Sequence, residues 1–224
     1  MTFLTDALLV AGKDLRIERR SRVALQQILP FGGIVVVIFA FALDANRASL
    51  PEAAPGLFWA AVLLAALLAI SRSFAVEESN GARDGLRLSG IDAGSIFVGK
   101  AVAIAVELFL LEVVLGAAVI VLYGVTVHGV VVLLCTALAA TIGLAATGTV
   151  YGVLATGLRA RDTLVPLLVL PAVTPVMLGA TRAFAAALDG TTSDAWPWVQ
   201  LLAAFAILVI AAGTVAFGPL LEEA

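Results

Sequence analysis

Two carboxylates stand where carboxylates are expensive. Glu107 and Glu112 lie inside an apolar run that begins just after Lys100. At 1.5 Å per residue they fall about 10 Å and about 18 Å along a helix from that lysine, inside a hydrocarbon core ~30 Å thick. An ionised carboxylate at such depth costs on the order of 3 kcal/mol. Each must therefore face the protein interior, face a wet cavity, or carry a proton. The chemistry open to them is a substrate path or proton relay, or else hydrogen bonds that pin one helix to another. Their five-residue separation sets them roughly 140° apart, so one narrow helical stripe cannot hold both.

Other residues invite chemistry and then withhold it. Gly94 to Lys100 fits G-x-x-x-x-G-K, but Ala101 follows where a magnesium-binding hydroxyl should stand. No strand precedes the motif and it runs into an apolar helix, so nucleotide binding is not expected. Lys100 is expected to snorkel at the membrane interface. His128 is the sole histidine and falls in a short turn; Cys135, the sole cysteine, lies in an apolar run where it would pack as a small residue. No metal site is expected. No Ser/Lys pair, HExxH or close aspartate diad is present to support an intramembrane enzyme. Pro166, Pro171 and Pro175 fall within ten residues of one apolar segment, so that helix should be kinked or broken. Gly148 and Gly152 make a G-x-x-x-G, which permits close helix contact.

The elements that position these residues must be membrane helices. The chain is 62% hydrophobic and 13% charged, with a mean hydropathy of +1.12. A soluble domain of this size carries about 25% charged residues. Backbone groups in lipid must be satisfied within the segment, which selects helices. An amphipathic helix is expected over 5–22, with Leu4, Leu8, Ala11 and Leu15 on its apolar side and Lys13, Arg16, Arg19, Arg20 and Arg22 toward headgroups. Six spans follow, at about 23–43, 53–71, 96–123, 129–158, 163–188 and 196–221, in a single domain of residues 1–224. The uncharged stretch from Val113 to Leu158 is 46 residues, about 69 Å as helix and too long for one crossing, so it is divided at Tyr123 to Gly129.

Placing the N-terminus inside puts eleven of the thirteen basic residues in the cytoplasm, leaving only Arg47 and Arg182 outside. Both termini are then cytoplasmic, and Trp59, Trp196 and Trp198 lie near outer ends as an aromatic belt would. The longest polar stretch between spans, 72–95, becomes a cytoplasmic segment.

An interfacial helix, six spans and a polar segment after the second span resemble the permeases of ABC-2-type transporters. The segment supplies Arg72, Phe74, Glu77, Glu78, Gly81, Asp84 and Lys100 at the family's spacing. More specifically the chain resembles the CcmB family of haem exporter B proteins. That likeness rests on Ala54-Pro55-Gly56-Leu57-Phe58-Trp59 opening the second span and on Leu168-Val169-Leu170-Pro171 followed by Pro175 in the fifth. Gly90 stands where the family often has proline.

The resemblance implies a non-catalytic permease subunit in the bacterial inner membrane, acting in cytochrome c biogenesis. It implies a CcmA-like ATPase, CcmC-like and CcmD-like subunits, a CcmE-like haem chaperone and two copies of this chain per complex. ATP would sit on the partner, haem would be handled by the complex, and this chain would bind no cofactor. No nucleic-acid partner is expected. The residues implied to receive the ATPase's motion are Phe74, Glu77, Glu78, Gly81, Asp84 and Leu86. The alternative reading is an ion-coupled secondary transporter using Glu107 and Glu112.

Overall fold

The computed structural model describes residues 2–22, 24–43, 50–79, 90–155 and 161–223, and among them it contains helices and no strand. This is the outcome that satisfying backbone groups in lipid demands. In order the elements are α1 (Phe3–Ser21), a π-helical turn (Ala24–Ile28), α2 (Leu29–Ala42), α3 (Leu50–Ser79), α4 (Ala93–Tyr123), α5 (Val130–Leu154), α6 (Arg161–Leu188) and α7 (Thr192–Glu223). The chain is an all-α polytopic membrane protein. Five helices, α3 to α7, are each long and apolar enough to cross a bilayer. The first expected span is different in kind. Its α-helical part has 14 residues, about 21 Å against a ~30 Å core, and the π-helical turn extends it toward α1. From Gln26 onward this segment is inclined 59° to α1, and the number of spans reaches six only when this bent pair is taken together as one span.

Residue type explains where helices end. Asp92 caps α4, its Oδ2 accepting from the Ser95 N–H at 3.0 Å. Gly124 closes the same helix in the left-handed region, φ 66°. The second span does not stop at Ser71. No proline or glycine intervenes before Gly81, and α3 runs on to Ser79, so it includes the first eight residues expected to be loop.

Small residues decide the packing. α5 is lined by buried Ala140, Gly143, Ala145, Ala146, Gly148 and Gly152 and packs against α3, α4, α6 and α7. A Cβ on Gly148 would overlap Ile70 of α3, and one on Gly152 would overlap the Phe74 ring. The G-x-x-x-G is thus a contact inside the bundle.

One expectation fails here and another is narrowed. Trp59 is not in an interfacial belt: it is 0% exposed, packed edge-on to Phe58 and Phe184 at centroid separations of 5.4 and 5.2 Å. Trp196, by contrast, is exposed. The three prolines do not break α6, which is helical from Arg161 to Leu188. Pro171 and Pro175 lie on its exposed face, opposite buried Val165, Val169, Val173 and Val176. The Thr174 hydroxyl donates to the Leu170 carbonyl at 3.0 Å.

Candidate functional site

A buried charged cluster lies at the end of the bundle where α1 docks. α1 is docked along the first half of α4. Ala7, Val10 and Ala11 are its buried face, and Gly99 allows the approach: a Cβ there would stand 2.6 Å from both the Ala7 carbonyl oxygen and the Val10 Cβ. Ser95 Oγ donates to the Phe3 carbonyl at 3.2 Å and ties the start of α1 down. Leu4 and Leu8 point outward and remain exposed, as an apolar face in lipid would.

Under this clamp lies Lys100. It does not snorkel: it is 2% exposed, because α1 covers it. Its Nζ is 3.7 Å from Asp14 Oδ2 and 4.7 Å from the centroid of Phe74. Asp14 Oδ1 also pairs with Lys13 at 3.0 Å. Phe74 is buried, its ring seated on Gly152. One contact therefore joins α1, α4, α3 and α5, about one and a half turns before α3 ends. A cation over an aromatic face contributes about 0.5–2 kcal/mol, toward the upper value when dry.

Of the other residues expected to receive an ATPase, Glu77 and Glu78 lie on the last turn of α3, and their side chains are outside the described residues. Gly81, Asp84 and Leu86 are also outside the described residues. Gly90 is described and has φ 69°. Proline, fixed near φ −65°, cannot adopt that backbone.

The two membrane carboxylates have separate surroundings. Glu112 is buried in the bundle, where Oε1 accepts from Thr141 Oγ1 of α5 at 2.5 Å. This is the hydrogen bond between helices that its position called for. Oε2 has no hydrogen-bond partner among the described residues, and Glu112 is one of the residues lining an almost wholly apolar cavity of about 280 Å³ with Phe58 and Phe184 in its wall. Glu107 is half-buried and lines a different cavity, of about 940 Å³, between α1, α2, α3 and α4. His128 is exposed, its Nε2 3.2 Å from Thr126 Oγ1. Cys135 packs at the edge of a small apolar cluster around Val132 and Ala183.

Sequence reasoning missed the ion pair of Asp14 with Lys100. The signal was the 3–4 spacing of Ala7, Val10, Ala11 and Asp14, a stripe of small residues ending in an acid, beside the bulkier Leu4–Leu8 stripe.

Comparison with known proteins adds an independent line. The family model described as CcmB protein matches residues 5–223. The chain is 29% identical over 210 residues to a Pseudomonas aeruginosa protein named heme exporter protein B, covering 92% of this chain and 94% of that one. A Bradyrhizobium diazoefficiens protein of the same name is 30% identical over 183 residues, 80% of each chain. One from Rhodobacter capsulatus is 29% identical over 167 residues, covering 75% of this chain and 77% of that one.

Proposed function

The chain belongs to the CcmB protein family, and from that premise we propose that it is the membrane subunit of a haem-export complex in cytochrome c biogenesis. A separate ATPase subunit would grip the segment after α3 and drive the helices through it. Hydrolysis belongs to that partner; this chain supplies the moving helices. The relatives' shared name, heme exporter protein B, supports the cargo. The positive-inside count supports an orientation with α1 and the segment after α3 facing the cytoplasm of a bacterial inner membrane.

The observation that carries the coupling is the Phe74–Lys100–Asp14 contact. A push on the end of α3 reaches Phe74 within two helical turns. From there it meets α5 through Gly152, α4 through Lys100, and α1 through Asp14. No flexible linker lies between Phe74 and Ser79 to absorb the motion, because both belong to one helix.

The test is co-purification and complementation. Tagged chain, expressed with its CcmA-like, CcmC-like, CcmD-like and CcmE-like neighbours, is expected to bring down the ATPase. Glu78→Arg with Asp84→Arg should abolish that association. Lys100→Met should keep it but lower holo-cytochrome c several-fold. An unchanged cytochrome level in both variants overturns the coupling.

A further inference from the structure

We infer that the 940 Å³ cavity beside α1 is a binding site for an aminophospholipid, a lipid whose headgroup carries both a phosphate and a primary ammonium. Its origin is geometric. α1 is capped by Arg22, a non-glycine residue in the left-handed region at φ 55°, whose N–H donates to the Glu18 carbonyl. The chain there turns, α2 departs at a steep angle, and a wedge is left between them.

The wedge opens toward lipid. Leu110, Val113 and Val114 border it and are exposed large apolar side chains on a membrane-spanning helix. Between residues 107 and 114 α4 rises about 10 Å, a wall on which the upper part of an acyl chain can lie.

The charges at its mouth are of both signs. Arg19 and Arg22 are exposed and line it, while Glu107 reaches it from within the span. Guanidinium groups bind phosphate through paired N–H donors. A carboxylate inside the hydrocarbon boundary is costly unless a cation or proton meets it. Glu18 on the same rim adds a second acid. A purely anionic headgroup would satisfy the arginines and be repelled by both acids. A phosphoethanolamine headgroup satisfies both sets, its phosphate on Arg19 and Arg22 and its ammonium donating to Glu107. A choline headgroup carries the charge but has no N–H to donate.

Native mass spectrometry of the delipidated full chain tests this, with phosphatidylethanolamine, phosphatidylglycerol and phosphatidylcholine of matched acyl chains supplied in equal amounts. The ethanolamine lipid should be retained at least about threefold over either competitor. Glu107→Gln should remove that excess, bringing it level with the choline lipid. Arg19→Gln with Arg22→Gln should lower retention of all three. Glu112→Gln, which removes a membrane carboxylate outside this cavity, should leave the preference intact. Size-exclusion profiles and circular dichroism confirm that each variant is folded; if the double arginine variant is not, Glu107→Gln decides alone. Preferential retention of phosphatidylglycerol overturns the proposal, as does equal retention of ethanolamine and choline lipids, or a preference that survives Glu107→Gln.

Discussion

Glu112 and Thr141 show how much one side chain can settle at membrane depth. The carboxyl was recognisable from sequence as a group in need of a partner. The identity of the partner was not, because it depends on the relative rotation of α4 and α5. Removing the hydroxyl leaves Oε1 without its donor. Interhelical hydrogen bonds in membrane proteins average about 0.6 kcal/mol, with a maximum near 1.7. Thr141→Val should therefore lower the thermal midpoint of the purified chain by about 2 °C, while Thr141→Ser should leave it in place. Equal midpoints for the two variants would remove the bond from the account. Lys100 teaches the complementary lesson: an isolated lysine at a helix entrance reads as a snorkelling residue until the element that covers it is known.

Helices were legible as elements because apolar length and basic flanks are direct consequences of the bilayer. Their ends and neighbours were less so. The polar composition after Ser71 suggested a loop, yet α3 keeps its helix to Ser79 since polarity alone breaks nothing. Three prolines suggested a break in α6, and the helix continues through them. α1 was expected on the membrane surface, and its exposed Leu4 and Leu8 fit that place, but its other face is packed on α4 through Gly99. Gly99→Leu should pry α1 away. In a Cys135→Ser background, Val10→Cys should resist a water-soluble maleimide and become reactive once Gly99→Leu is added. Continued protection would mean that α1 is held by contacts other than this one.

For the whole molecule, the distribution of basic residues predicts which face is which. A membrane-impermeant maleimide applied to spheroplasts should label Ser193→Cys, in the first turn of α7, and should reach Arg20→Cys only after the membrane is opened; the reverse pattern would invert the proposed orientation. What sequence could not supply is where along its length α3 is held. α3 is a single helix of 30 residues, and Ile70 seats it on Gly148 of α5, one turn inside the contact of Phe74 with Gly152. Ile70 stands about 14 Å from the Ser79 end and about 30 Å from the Leu50 end. A rod held there is a lever with unequal arms. A shift of about 1 Å imposed at the short arm would become about 2 Å of opposite travel at the Leu50 end, force traded for reach by where the glycines of α5 sit.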